Sequence, residues 1–427
     1  MFLFWRDKIR DFALAIFIVA PIALATGAAC ALFLRLLDDA TNLRFAHPAL
    51  LFGLPFAGVV VAYFYERHGK NSSRGNNLIL EAVHGEGGQN PDDDSSLVPR
   101  RMAPLILLAT LATHLFGGSA GREGTAVQMG GSLASAWAQL LGLNGRFKRL
   151  ALLCGIAAGF GGVFGTPLAG AVFALEVLWR GKIETEDAVG CLLAALASDW
   201  CSRALGTHHS HYVVAFSSVF GAAEIVLALK IAFAAVLFGW AARAFIELTE
   251  AVSRLSGSRI KNPLARPFVG GMGIIALTFL LGTRNYLGLS VSSPDAGAIT
   301  LSSAFGTGAP PFAWLAKTIF TALTLGSGFK GGEVTPLFFI GATLGNALSG
   351  PLHAPVALLA AVGLVAIFAG ASKTPLASTI MGIELFGAHG APLFALACFI
   401  AARSSGARGL YSAQKMVEPT PVNEPRA

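Results

Sequence analysis

The stretch GVFGTPLAGAVFALEV, residues 162–177, recurs later in the chain as AGASKTPLASTIMGIEL, residues 369–385. The Thr-Pro-Leu-Ala core that begins at Thr166 begins again at Thr374, and in both copies an acid follows the core at the same interval. Two segments that share both the Thr-Pro-Leu-Ala core and the spacing from it to the acid indicate an internal duplication rather than a chance similarity. The sequence therefore predicts two related halves.

A glycine-rich motif with an acid precedes each copy of the repeat. GREGT contains Glu123 and GGEVTP contains Glu333. We place the first half at residues 1–211 and the second, which ends in a short C-terminal tail, at residues 212–427.

The composition is that of a membrane protein. Of the 427 residues, 13% are charged and 54% are hydrophobic, whereas about 25% are charged in ordinary globular domains. Apolar runs such as 11–37 and 222–246 reach the length of about 20 residues that spans a bilayer. Fifty glycines and twenty prolines interrupt these runs, which is typical of tilted, broken helices packed at small residues. We therefore expect an all-α integral membrane protein, with the lipid bilayer as a partner.

Charge and chemistry exclude several functions. The net charge of +7 includes no basic cluster interleaved with aromatic residues, so no nucleic-acid partner is expected. No serine-histidine or paired-aspartate arrangement lies within the apolar runs, which disfavours an enzyme. The tract HHSH, residues 208–211, lacks a nearby carboxylate, and the cysteines show no CxxC spacing, so neither a metal nor a cofactor is expected. Arg6, Lys8 and Arg10 precede the first apolar run and predict a cytoplasmic N-terminus.

The duplication and the glycine-rich motifs together predict a transporter. Related halves with interrupted apolar helices are typical of proteins whose binding site lies between the halves near the bilayer midplane. Glycine-rich helix starts, here at residues 75, 121 and 331, expose backbone N–H groups and the positive end of the helix dipole, which favours an anion. Glycine also serves close helix packing, which is the alternative for any single motif.

Four motifs in order resemble those of the CLC family of chloride channels and proton-coupled anion exchangers. GREGT resembles that family's GREGP, GGEVTP resembles GxFxP, RGNNLIL at 74–80 resembles GSGIP, and GLYSA at 409–413 resembles the late tyrosine segment. The resemblance covers nearly the whole chain. It implies a CLC-like fold of two inverted repeats, and a homodimer with one anion pathway per subunit.

The resemblance also implies roles for individual residues. Glu123 falls on the gating glutamate, which competes with the anion and carries a proton, while Arg122 is expected to be its structural partner. The same comparison assigns anion-binding positions to Asn76, Gly124, Val334, Thr335 and Tyr411.

Departures from the common family pattern point to one branch of the family. Asn76 replaces a serine, Thr125 a proline and Val334 a phenylalanine, and Glu333 and Thr335 enter the second motif. This pattern resembles the fluoride-exporting branch. An asparagine amide offers two N–H donors, which suits a small, strongly hydrated anion.

Carboxylates other than Glu123 have two possible roles. Glu333 is a candidate proton relay, since an acid in a membrane is costly unless it faces a cavity or carries protons, and the alternative is a neutral side chain that caps nearby backbone. Val177 stands where chloride exchangers commonly have an internal glutamate, and the repeated Glu176 and Glu384 are expected to be structural.

The sequence thus predicts a proton-coupled fluoride antiporter that exports fluoride across a bacterial plasma (inner) membrane. The alternative is a chloride/proton exchanger or a passive anion channel of the same fold.

Overall fold

The structure is a computed structural model that describes residues 2–85, 98–209, 214, 222–306 and 308–416. These residues form fifteen α-helices and one pair of two-residue strands. The predicted boundary between the halves, at residues 211 and 212, lies outside the described residues.

The helices of the first half of the chain are α1 (Phe2–Ala46), α2 (Leu54–His68), α3 (Asn76–His84), α4 (Met102–Leu115), α5 (Glu123–Leu140), α6 (Gly145–Phe164), α7 (Pro167–Glu176) and α8 (Ala188–Ala204). Those of the second half are α9 (Ala222–Arg259), α10 (Ala265–Leu281), α11 (Ala313–Gly326), α12 (Val334–Leu352), α13 (Val356–Ser372), α14 (Pro375–Phe386) and α15 (Ala391–Ser404). The strands are β1 (Trp179–Arg180) and β2 (Lys415–Met416), which pair in parallel.

Two series of five helices correspond in order and length. Helices α4 to α8 contain 14, 18, 20, 10 and 17 residues, and α11 to α15 contain 14, 19, 17, 12 and 14. In each series the second helix packs along the third, and the third packs against the fourth and fifth. The duplication read from the sequence therefore extends over whole helices.

Four helical segments within the described residues are long and apolar enough to cross a membrane. Seven further apolar helices contain only 10 to 17 residues, as expected from the interruptions by glycine and proline. Large apolar side chains such as Phe56, Trp240 and Leu280 are more than half exposed, which suits contact with lipid.

The buried centre of the molecule depends on glycines that bring helix backbones together. A methyl group at Gly130 of α5 would lie 2.1 Å from the carbonyl oxygen of Gly155 in α6. In the second series, a methyl group at Gly341 of α12 would lie 2.2 Å from the carbonyl oxygen of Gly363 in α13. Any larger residue would force the helices apart, so the expected packing at small residues is confirmed.

Local sequence explains the short helices α7 and α14. The helix before each ends in a left-handed residue, Gly165 (φ +71°) or Lys373 (φ +60°), which closes its last turn. A Thr-Pro pair then opens the next helix, where the absent proline N–H costs no hydrogen bond. The repeated sequence thus produces two sharp breaks at matching positions.

Candidate functional site

Two glycine-rich loops meet at the centre of the structure. Gly121 donates its N–H to the carbonyl of Gly332 at 2.6 Å, and Gly332 donates in return at 2.9 Å, forming an isolated antiparallel bridge. A methyl group at Gly332 would lie 2.8 Å from the backbone nitrogen of Gly124. The close approach places the first turn of α5 beside the first turn of α12, and the predicted motifs GREGT and GGEVTP therefore form one site.

Glu123, the predicted gate, is the first residue of α5 and is 2% exposed. Its Oε2 accepts a hydrogen bond from the backbone N–H of Thr335 at 3.0 Å, and its Oε1 accepts one from the Thr335 hydroxyl at 2.5 Å. The backbone N–H of Arg122 donates to Oε2 at 3.1 Å, and Arg122 Nε lies 3.5 Å from Oε1. The carboxylate therefore occupies the positive end of α12, where an anion would bind.

Thr335, an expected anion-binding residue, contacts Glu123 in this structure. Its backbone N–H, which an anion at this helix start would use as a donor, binds the Glu123 carboxylate. The carboxylate and an anion would need the same donor, so they exclude each other. Val334, which precedes Thr335, is 2% exposed in the hydrophobic core.

A cavity of about 180 Å³ adjoins Glu333, the residue before α12. Three predicted site residues line it together: Asn76, Glu333 and Tyr411. They come from the start of α3, the residue before α12 and the segment after α15, so the fold brings together positions from both ends of the chain. The parallel pairing of β1 with β2 attaches the segment that carries Tyr411 to the first half.

Asn76 and Glu333 approach each other over Gly124. A methyl group at Gly124 would lie 3.4 Å from Asn76 Nδ2 and 3.2 Å from a Glu333 carboxylate oxygen. Asn76 Oδ1 is buried with no hydrogen-bond partner among the described residues. Because Gly124 has no side chain, the Asn76 amide and the Glu333 carboxylate can both lie close to it.

Glu333 stands at the N-cap position of α12, where its carboxylate accepts a hydrogen bond from its own backbone N–H but makes no capping hydrogen bond to the described helix. The carboxylate faces the cavity instead and is close enough to Glu123 for the two charges to repel each other. Tyr411 is 6% exposed and lies near both carboxylates. Both expected roles of Glu333, proton relay and backbone contact, stay predictions.

A second, smaller cavity of about 40 Å³ adjoins the Glu123–Thr335 contact. It is lined by both of these residues and by Arg122, Phe164 and Phe338. Glu123 and Thr335 thus line one cavity and Glu333 lines the other. Since residues 333–335 are consecutive, the start of α12 separates the two cavities.

Other polar residues of the larger cavity were missed in the sequence. Gln128 of α5 is 7% exposed, and Lys330 holds its ammonium 4.7 Å from the Tyr65 ring centroid. Both line the cavity, as does Arg74. The sequence did contain signals for both residues. Gln128 is an amide in an apolar helix, and Lys330 is a lysine inside a glycine-rich motif.

The histidine tract contributes no metal centre in the described part of the chain, where no group of three metal-binding side chains occurs. His209 is 3.5 Å from an Asp199 oxygen and lines the smaller cavity. His211 lies outside the described residues.

Comparisons with known proteins agree with this geometry. The family model described as voltage gated chloride channel matches residues 54–406. The chain is 42% identical over 395 residues to the chloride/fluoride channel protein of Pseudomonas syringae pv. tomato, covering 92% of this chain and 85% of that protein.

Solved structures show the same likeness. A structure described as a CLC-type fluoride/proton antiporter is 32% identical, superposes with a TM-score of 0.86, and covers 95% of this chain and 99% of its own. A slow cyanobacterial Cl⁻/H⁺ antiporter, at 17% identity and a TM-score of 0.75, covers 92% of this chain and 94% of its own and supports the fold alone.

Proposed function

The chain belongs to the voltage-gated chloride channel (CLC) family, and from that premise we propose that it is a proton-coupled antiporter that exports fluoride. Its fold is the all-α CLC membrane fold, and it is a transport protein rather than an enzyme. As a member of this family it is an anion channel or transporter. We propose fluoride as the anion and protons as the coupled ion.

The observation that carries the proposal is the position of the Glu123 carboxylate on the first turn of α12. A charged carboxylate competes there with an anion for the Thr335 N–H. Protonation removes that charge and weakens hydrogen bonds that contribute about 1.5–3 kcal/mol each when the acceptor is ionised. One side chain can therefore release its site to an anion and carry a proton, which is what exchange requires.

Fluoride is favoured over chloride by the donors and acids around the larger cavity. A small, strongly hydrated anion loses more on dehydration and needs strong donors in return, such as the Asn76 amide. Glu333, which faces the same cavity near Glu123, is positioned to relay a proton. The similarity to a chloride/fluoride channel protein and to a fluoride/proton antiporter supports the same choice.

We also propose a homodimer with one pathway per subunit. Residues from both halves of the chain line each of the two cavities, which supports a pathway built within one subunit. The single chain has a mass of 44.3 kDa. Mass measurement of the purified protein in a mild detergent should give twice this value. A monomer that retains transport would contradict this assembly.

The proposed placement in the cell is a bacterial plasma membrane with a cytoplasmic N-terminus. The bacterial relative and the basic residues before the first apolar run support it. We likewise propose that residues 1–211 and 212–427 form the two inverted halves, which the matched helix series supports.

Flux measurements on reconstituted protein test the function. A fluoride gradient imposed across sealed liposomes should drive proton movement in the opposite direction. Fluoride flux without protons would make the protein a passive channel. Chloride flux as fast as fluoride flux, with protons, would make it a chloride/proton exchanger.

A further inference from the structure

A buried arginine lies at the C-terminal end of α1, beside the cavity that Glu123 lines. Arg44 is in the last turn of α1 and is only 9% exposed. Its Cζ lies 4.6 Å from the centroid of the Phe45 ring. Its Nε is buried and has no hydrogen-bond partner in the described chain, where no carboxylate pairs with the guanidinium either.

The fold makes room for this guanidinium. A methyl group at Gly288, where φ is +61°, would lie 3.1 Å from Arg44 Cζ and from both terminal nitrogens. Only a residue without a side chain tolerates both this backbone conformation and this contact. The loop and Arg44 therefore fit together as a built arrangement.

A second buried cation holds the same loop. Lys317 of α11 is fully buried, and its ammonium donates to the carbonyls of Tyr286 at 3.2 Å and Gly288 at 2.7 Å and to Ser290 Oγ at 2.9 Å. Lys317 and Arg44 are near enough to repel each other. The loop satisfies Lys317 with oxygen acceptors but leaves Arg44 without one.

Arg44 Nε lacks an acceptor in the described chain, and an anion beside the guanidinium would supply one. A cavity of about 120 Å³ adjoins Arg44. The polar groups that line this cavity include Arg44, Arg284, Asn285, Ser292, Ser293 and Thr300. One exposed carboxylate, Asp295, also lines it, and two guanidinium groups outnumber it.

We propose that Arg44 is the centre of a phosphate-binding site beside the cavity that Glu123 lines. A guanidinium presents a planar fork of N–H donors that matches two oxygens of a phosphate, whereas a halide offers a single acceptor atom. The surrounding hydroxyl and amide groups can bind the remaining oxygens. The cavity has room for a group of several atoms.

The phosphate can come from a lipid headgroup or from solution. The site lies where α1 ends and the chain turns towards α2, a position that suits the edge of the bilayer. Gly117, which precedes the GREGT motif, also lines the cavity, so a bound phosphate would stabilise the loop that leads to Glu123.

Binding to the full-length, delipidated protein in a maltoside detergent tests the site without any transport measurement. Inorganic phosphate should raise the unfolding temperature of the wild type. Arg44→Gln should remove this effect, and Arg284→Gln, at an exposed position that folding does not require, should weaken phosphate binding by at least about tenfold. Arg35→Gln, an exposed arginine on the same helix, is the matched control and should bind as the wild type does.

Native mass spectrometry with phosphatidylglycerol separates the two sources. A lipid adduct that the wild type retains and that Arg44→Gln loses identifies a headgroup, and binding of inorganic phosphate alone identifies a free ion. The proposal is wrong if neither binds the wild type, if Arg44→Gln binds phosphate with unchanged affinity, or if fluoride replaces phosphate as the stabilising anion. None of these outcomes depends on whether fluoride and protons are coupled.

Discussion

Glu176 and Glu384 each cap the helix that carries the other. The Glu176 carboxylate, at the end of α7, accepts the backbone N–H groups of Leu376 and Ala377 at 3.0 and 2.7 Å in the first turn of α14. The Glu384 carboxylate, in α14, accepts those of Leu168 and Ala169 at 3.0 and 2.8 Å in the first turn of α7. This exchange joins the two repeats and confirms the structural role expected for both acids.

We predict that Glu176→Gln and Glu384→Gln each lower the free energy of unfolding by about 1–3 kcal/mol, because glutamine keeps one acceptor oxygen and turns a donor towards the other N–H. Thermal unfolding followed by tryptophan fluorescence measures the loss. Glu247→Gln, at an exposed position on α9, is the control and should change little. A Glu176→Gln protein of normal stability that has lost proton coupling would make Glu176 a proton carrier instead.

The starts of several helices, and the breaks between them, could be predicted from the sequence because they are encoded locally. Glycine-rich motifs open α3, α5 and α12, and a left-handed residue followed by Thr-Pro opens α7 and α14. Each signal depends on a few consecutive residues. Because an acid recurs at the same position in both repeats, the sequence also predicted that Glu176 and Glu384 have the same role.

Contacts between residues that are far apart in the sequence could not be predicted from it. Nothing near Glu123 in the sequence indicates that its carboxylate binds Thr335, 212 residues away. Gln128 and Lys330 become cavity residues only once helices from both halves pack together. Arg44 looks like a typical basic helix end until the loop at Gly288 encloses it.

Replacing Glu123 with glutamine should abolish proton coupling, since the amide neither carries a negative charge onto α12 nor takes up a proton. Fluoride flux and proton flux are measured in parallel on liposomes that contain Glu123→Gln or the control Glu247→Gln. We expect normal coupling in the control. Coupling that survives in Glu123→Gln would leave Glu333 as the main proton-carrying candidate.

Gly124→Ala tests the close approach of Asn76 and Glu333. The added methyl group would lie 3.2–3.4 Å from both side chains, so they must shift by a few tenths of an ångström. We expect fluoride flux to fall by at least about fivefold, equivalent to about 1 kcal/mol of overpacking. Gly257→Ala is the control, because a methyl group there meets nothing within 4 Å. Unchanged flux in Gly124→Ala would mean that anions do not pass this point.

Asn76→Ser should lower the ratio of fluoride flux to chloride flux by at least about tenfold, equivalent to about 1.4 kcal/mol. The change replaces two N–H donors with one hydroxyl, and the smaller anion depends more on strong donors. Asn144→Ser, at an exposed position before α6, is the control. An unchanged ratio in folded Asn76→Ser protein would place selectivity elsewhere, with Thr335 and Glu333 next to be examined.

Glu333→Gln should reduce proton coupling while fluoride flux continues, because the amide preserves the size of the side chain but cannot relay a proton. Because Glu123→Gln alone is expected to abolish coupling, the single variant Glu333→Gln carries this test. Fluoride and proton fluxes are measured in parallel for Glu333→Gln and the wild type. Full coupling in Glu333→Gln would restrict that carboxylate to shaping the cavity, and the proton would then have to reach Glu123 by a route that avoids the start of α12.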